Sequence, residues 1–325
     1  MRPATEDNSP RSRSARFDRY NPMNTMNEPG SATKKQVREL EETARELHAL
    51  LSPCRLCPNG CGVDRLSGEI GRCGIGPSAR IANHGPHFGE ETVLIGDRGS
   101  GTVFFSGCNL ACLYCQNWTI SHGCEGADLT DVELADVFLR IQKSDCANLN
   151  LVTPTHQTHV IVAALAIATA NGFDLPVVWN CGGYESIETL RLLDGIVDIY
   201  MPDLKYGAND VAQRLSGVPD YVDVSRRAAV EMHRQVGALR IDGDGLARRG
   251  VLVRHLVLPN GLGGSHEVLR FLGASVSPDT YVNLMDQYRP RHRAGSVAEL
   301  GRPITAEEYA DALRAAEDAG IHRFA

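Results

Sequence analysis

The chain has 325 residues, 42% of them apolar and 22% charged, and a formal net charge of −7. Such a composition buries a full core, contains no run of eighteen apolar residues able to cross a membrane, and spreads no basic field for a nucleic acid. Ten cysteines without an apolar export signal in front of them read as metal ligands in a cytoplasmic protein, not as disulfides.

Residues 1–32 are rich in Ser, Pro, Asn and Arg and lack apolar periodicity, which predicts a solvated, disordered tail. Met23 and Met26 leave a later start open. Over residues 34–51, Val37, Leu40, Ala44, Leu47 and Leu51 recur at helical spacing, and Pro53 ends the helix. Cys54, Cys57 and Cys61 follow at once, and Cys73 comes after a glycine-rich stretch. Four thiols with glycines beside them can close a metal site. Zinc and an auxiliary 4Fe–4S cluster both accept that set, so spacing leaves the metal open, with free thiols as the alternative. Residues 33–98 are expected to form this helix-plus-cysteine module, and residues 99–325 a larger α/β domain. The stretch Asn83-His84-Gly85-Pro86-His87-Phe88-Gly89-Glu90-Glu91 reads as a turn-rich loop packing on that domain.

Thr102-Val103-Phe104-Phe105 is a short buried strand. It runs into Gly107-Cys108-Asn109-Leu110-Ala111-Cys112-Leu113-Tyr114-Cys115-Gln116-Asn117. Three cysteines at C-x-x-x-C-x-x-C spacing do not close a structural zinc site, which takes four ligands. They suit a 4Fe–4S cluster with three irons held by protein and one left open; a zinc knuckle or buried thiols are the alternative. Beyond the loop, helix and strand alternate. Helices are predicted over 131–143, 155–171, 186–193, 225–236, 265–272 and 305–319, the last opened by Thr305 with a following Glu. Strands fall at 148–152, 176–179, 196–201, 251–258 and 281–285. About six βα units imply parallel pairing in a partial, open barrel, with the chemistry at the C-terminal strand ends.

The three-cysteine run, with Tyr114 before its last cysteine, resembles the signature of the radical S-adenosylmethionine (radical SAM) superfamily. Cys-Leu-Tyr-Cys-Gln-Asn is similar to the motif of uncharacterised homologues of pyruvate formate-lyase activating enzyme. The resemblance covers the chain from about Cys54 to the last helix and implies a radical SAM-type partial barrel. It further implies a 4Fe–4S cluster on Cys108, Cys112 and Cys115 that chelates S-adenosylmethionine and cleaves it to a 5′-deoxyadenosyl radical, with Tyr114 near the adenine. Thr153-Pro154-Thr155-His156 stands where the superfamily carries a Gly-Gly-Glu-Pro-type motif, which places Thr153 and Thr155 at the methionine amine. Asn180 and Gly182 resemble a Thr-Asn-Gly strand end, Asp203 and Lys205 an Asp-x-Lys pair, and Arg254 an arginine whose fork suits the methionine carboxylate. The cysteine-rich segment with Cys54, Cys57, Cys61 and Cys73 also resembles N-terminal segments of relatives of the activating enzymes. The implied partners are a ferredoxin- or flavodoxin-type electron donor and a protein or peptide substrate. A small-molecule substrate, or a non-catalytic iron–sulfur or zinc protein, are the alternatives.

Overall fold

The computed structural model describes residues 31–325, with side chains from Gln36 onward. The tail expected over 1–32 lies, but for its last two residues, outside the described residues. Helix α1 (Ser31–Ala49) starts a turn earlier than its apolar spacing suggests and buries Leu40 and Leu47. The cysteine-rich turn follows, and then the first departure from expectation. Of the expected loop over 83–91, residues 83–87 instead belong to strand β1 (Ala79–His87), while 88–91 are irregular and lead to the single helical turn α2 (Thr92–Ile95). Strand β1 runs antiparallel to β2 (Ser100–Phe105), with Ile81 opposite Phe105 and His87 opposite Ser100. Its far half stays largely exposed and carries Pro86 where no further strand pairs. Backbone bonds hold it there, so it has no apolar alternation to betray it.

After the three-cysteine loop come the short helix α3 (Trp118–Ser121) and β3 (Ala127–Leu129), which pairs with the start of β1. Then the regular alternation begins: α4 (Asp131–Lys143), β4 (Leu149–Val152), α5 (Thr158–Ala170), β5 (Val177–Cys181), α6 (Ile187–Leu192) and β6 (Ile199–Pro202). Two helices in series, α7 (Asn209–Ser216) and α8 (Tyr221–Val236), lead to β7 (Arg240–Ile241) and the long β8 (Ala247–Leu256). The chain ends with α9 (Ser265–Phe271), β9 (Tyr281–Met285), α10 (Ala306–Asp318) and β10 (Arg323–Phe324). Thr130 with Glu133 and Thr305 with Glu308 form capping boxes on α4 and α10.

One open ten-stranded sheet results, in the order β10-β9-β8-β6-β5-β4-β2-β1-β3, with β7 paired to β8 off that path. From β2 through β4, β5, β6, β8 and β9 every pairing is parallel. These six strands are the partial β/α barrel that the alternation implied. The main core lies between the sheet and helices α4, α5 and α8, and α1 packs on α5, so residues 33–98 share this core. Helix α2 drives Leu94 among Val178, Ile199, Met201 and Leu252 and so plugs one end of the barrel. Among the described residues no helix is long and apolar enough to cross a membrane.

Candidate cluster and cofactor site

The cysteine loop leaves β2 at its C-terminal end and is braced on three sides. Gly107 takes φ +77°, and a side chain there would run into the Cys73 carbonyl and Ile75. Glycine therefore lets the loop lie directly on the four-cysteine turn. Asn109 is 1% exposed; its Nδ2 donates to the Tyr184 carbonyl at 2.6 Å, and its own carbonyl accepts from Asn59 Nδ2 at 2.7 Å. From α7, the Ser216 and Leu215 carbonyls accept from Ala111 N and Leu113 N at 3.1 and 2.8 Å. The loop's shape is therefore set by distant parts of the chain.

Each of its three sulfurs meets a donor or a hydroxyl. Leu110 N donates to Cys108 Sγ at 3.4 Å, Ser216 Oγ donates to Cys112 Sγ at 2.9 Å, and Ser121 Oγ lies 3.1 Å from Cys115 Sγ. Burial pushes the Cys108 thiol well up from its ordinary range and raises Cys112 as well. Left as thiols they are poor nucleophiles, whereas thiolates bound to metal would find these donors in place. Tyr114 is 6% exposed, and its hydroxyl donates to Tyr206 Oη at 2.8 Å. Tyr206 Oη is 2.6 Å from Ser216 Oγ, so a chain of hydroxyls ends on Cys112.

Opposite the sulfurs, the C-terminal ends of β5, β6 and β8 supply an ionic cluster. Asp203 accepts from Lys205 Nζ at 2.5 Å and from Arg254 Nε at 2.8 Å, while Arg254 Nη2 donates to Asn180 Oδ1 at 2.7 Å. The three charged side chains keep 17%, 18% and 19% of their surface exposed, which rules out a free surface pair. Burial raises the Asp203 carboxyl, but Arg254 and Lys205 outweigh it and leave it below the usual carboxylate range. Burial likewise opposes the charge on Lys205, and Asp203 with Cys112 overcomes it, so the ammonium is held above its ordinary value. Gly183, at φ +75°, would drive a side chain into the Asp203 carbonyl, so glycine fixes how closely β5 and β6 end together.

Between sulfurs and charges lies a cavity of about 260 Å³. Cys108, Cys112, Tyr114, Cys115, Thr153, Asn180, Gly182, Asp203, Lys205 and Arg254 all line it. Of the residues singled out for the cofactor in the barrel, only Thr155 stands apart. It is 1% exposed, and its Oγ1 donates at 2.5 Å to Glu185, a carboxyl that burial pushes up to about 7. Thr153 faces the cavity with φ +61°, a conformation uncommon outside glycine. Several participants escaped sequence reading. Ser216 sits about a hundred residues from the loop with no motif around it, Tyr206 directly follows the Asp203–Lys205 pair without a role read for it, and Gln287 lines the cavity without a charge or period to mark it; Gln116 and Asn117, which close the Cys-Leu-Tyr-Cys-Gln-Asn run, line it too. Cys181 touches the cavity but is packed in the main core at 2% exposure, and Cys146 is fully buried, as small core residues. A recess of about 410 Å³ near the opposite strand ends, walled by Asp174, Asp194 and Asp198, contains no cysteine.

Among the described residues no three His, Cys, Asp or Glu side chains converge at the spacing of a single bound ion. A 4Fe–4S cluster sets a different demand, because each thiolate binds its own iron and the sulfurs stand further apart. Three cysteines with donors on their sulfurs, walling one side of a charged cavity, fit that demand. At the other cysteine set, Cys54, Cys57 and Cys73 are buried and Cys61 is exposed. Cys54 N donates to Val63 O at 2.8 Å and Gly62 N to Cys54 O at 3.0 Å, folding a tight knuckle. Burial, with smaller contributions from Cys73 and Cys61, pushes Cys57 up to about 12.

No family model matches the chain. Among solved structures, it is similar to a radical SAM methyltransferase from Sphaerobacter thermophilus at TM-score 0.46 and 17% identity, over 70% of this chain and 65% of that one. It is also similar to Streptococcus suis SuiB bound to precursor peptide SuiA, at TM-score 0.44 and 9% identity, over 65% of this chain and 43% of that one. In both cases the chain spans less than two thirds of the matched protein. A curated sequence, the uncharacterized protein MJ0674 of Methanocaldococcus jannaschii, is 33% identical over 274 residues, 81% of this chain and 74% of that protein. The chain thus belongs to the family of this Methanocaldococcus protein.

Proposed function

We propose that the protein is a radical SAM enzyme. The observation that carries the reading is a single cavity with three cysteine sulfurs on one wall and the Asp203–Lys205–Arg254 cluster on the other. Cys108, Cys112 and Cys115 would hold a 4Fe–4S cluster, and Asn180, Gly182, Asp203, Lys205 and Arg254 would surround S-adenosylmethionine. When bound, cluster and cofactor supply one-electron cleavage of the sulfonium and hydrogen abstraction from a substrate. The residues of this chain bind and orient. Arg254, fixed by Asp203 and Asn180, presents a pre-set guanidinium fork to a carboxylate. Tyr114 seals the cavity beside the last cysteine, and its hydroxyl, tied through Tyr206 and Ser216, helps hold the Cys112 sulfur in place. Buried walls keep water from the reacting atoms.

The finer reading is an activase-like enzyme acting on a protein or peptide, supported by the likeness of Cys-Leu-Tyr-Cys-Gln-Asn to the activating-enzyme motif. Its electron donor is of ferredoxin or flavodoxin type, and the knuckle, whose cysteines do not stand at single-ion spacing as they lie, would hold a second cluster, or zinc once its thiols draw together. Anaerobically reconstituted protein with dithionite and S-adenosylmethionine should release 5′-deoxyadenosine, and Cys112→Ala should abolish the release. Equal release from native protein and variant, or none from native protein that carries its iron and sulfide, sinks the proposal. Deuterium passing from a labelled polypeptide into 5′-deoxyadenosine tests the finer reading.

A further inference from the structure

Two runs of this chain without a single acidic residue, 98–124 and 287–298, meet beside the cysteine loop. The first carries the loop and α3; the second leaves the C-terminal end of β9. Arg293 N donates to the Leu113 carbonyl at 2.8 Å and fastens the second run to the loop. Arg289, Arg291 and Arg293 are exposed and, among the described residues, form no ion pair. Some exposed arginines elsewhere do pair with acids, as Arg214 does with Glu299 and Arg234 with Asp194. In a chain of net charge −7, three neighbouring cations left uncompensated add nothing to stability by pairing. They give one face a positive field.

An aromatic platform lies within that face. Trp118 is 44% exposed and stacks on His292, with ring centroids 5.3 Å apart and planes 18° from parallel. His122 lies 4.8 Å from His292. From His122 a bonded path leads inward: Nδ1 is 2.9 Å from Ser121 Oγ, which is 3.1 Å from Cys115 Sγ. The same face thus offers positive charge, a flat exposed ring and a short connection to a cluster ligand.

We infer that Arg289, Arg291 and Arg293 with Trp118 and His292 form the docking surface for a small acidic protein that carries a flavin and delivers electrons to the loop. The inference rests on the reading of Cys108, Cys112 and Cys115 as cluster ligands. An acidic surface matches the arginines, and the exposed edge of a flavin is a flat apolar group that suits the Trp118–His292 stack. The step is the transfer of one electron. The flavin is oxidised by one electron, the cluster held by the loop is reduced by one, and no atom passes between the proteins.

The test is calorimetric titration of the anaerobically reconstituted full chain with an acidic flavodoxin, at low and high salt. Binding should weaken as salt screens the surface. The charge reversal R289E/R291E/R293E should raise Kd about tenfold or more and flatten the salt dependence, and Trp118→Ala should raise it about threefold. Iron and sulfide content and dithionite-driven release of 5′-deoxyadenosine should stay as in native protein, since none of these residues lines the cavity. Equal affinity of the reversed variant, or binding of a single-stranded RNA but no flavodoxin through the same arginines, overturns the docking surface while leaving the cluster reading intact. Failure of native protein to assemble the cluster overturns both.

Discussion

The protein has two cysteine-rich turns, and the difference between them teaches more than either alone. The knuckle gathers Cys54, Cys57, Cys61 and Cys73 within twenty residues, yet none of the four lines the cavity that the barrel loop opens on. Its contacts brace the loop. Asn59 reaches the Asn109 carbonyl, the Cys73 carbonyl lies where Gly107 would carry a side chain, and Arg72 Nη2 donates to the Ser216 carbonyl at 3.3 Å. The barrel loop has one cysteine fewer but opens on a cavity and faces an ionic wall built from three other strands. Ligand number alone marks the knuckle as the more complete site. Surroundings reverse that ranking, because open coordination is useful only where something can approach it.

The largest expected effect separates the two by composition. Replacing Cys108, Cys112 and Cys115 together by Ala should remove the iron and acid-labile sulfide of the loop and all release of 5′-deoxyadenosine. Whatever metal remains then reports on the knuckle: iron with sulfide means a second cluster, zinc alone a structural site, and no metal a brace of free thiols. Retention of the full iron content in the triple variant would break the comparison.

The ionic wall gives the next test. Asp203→Asn leaves Arg254 and Lys205 in the cavity wall without their shared carboxylate. Removing one member of a largely buried charged cluster costs about 3 kcal/mol or more. The sign with pH follows from the lowered pKa of Asp203. A carboxylate held below its unfolded value of about 3.9 contributes stability above that pH and loses it as pH falls through the folded value. Thermal melts should therefore show the variant well below native protein at pH 7, with the gap closing below about pH 4. A gap of constant size across that range would mean that Asp203 is not ionised in the folded protein.

How much of this could be read from the sequence follows from how each feature is encoded. The six parallel strands were legible because buried strands are continuous apolar runs and the helices between them carry a 3.6-residue period. The three-cysteine loop and the residues closing strands β5, β6 and β8 could be singled out because cysteines and charged side chains recur there at short spacing, and the fold brings them to one cavity. Strand β1 was hidden because its outer half is held by backbone bonds with polar side chains around them. Helix α7 was hidden too, being only eight residues long, with Ala212, Leu215 and Ser216 its only buried positions. Thr155 was misplaced for a different reason. It is one residue past a turn in which Thr153 adopts positive φ, and that twist sends Thr153 to the cavity and Thr155 to Glu185. A local motif cannot reveal a twist that is held by a carboxyl thirty residues away.

The smallest effect sharpens the comparison most, because it concerns a residue with no motif at all. Ser216 Oγ donates to Cys112 Sγ and accepts, or shares a proton, from Tyr206 Oη. It lies at the end of α7, far from the loop in sequence, and nothing equivalent from α7 reaches a knuckle sulfur. A hydroxyl donating to a thiolate stabilises the more negative, reduced state of a bound cluster more than the oxidised one. Ser216→Ala should therefore shift the midpoint potential negative. A charge-assisted hydrogen bond of about 1.5 kcal/mol corresponds to roughly 60 mV for one electron, and the difference between two oxidation states is a fraction of that. Electrochemical titration of the reconstituted variant should find a shift of up to about 50 mV, with iron content and fold unchanged. Slower release of 5′-deoxyadenosine with a weak reductant, recovered with a stronger one, would accompany it. An unchanged potential would mean that the hydroxyl turns to Tyr206 once Cys112 is bound, leaving Ser216 to hold α7 against the loop and nothing more.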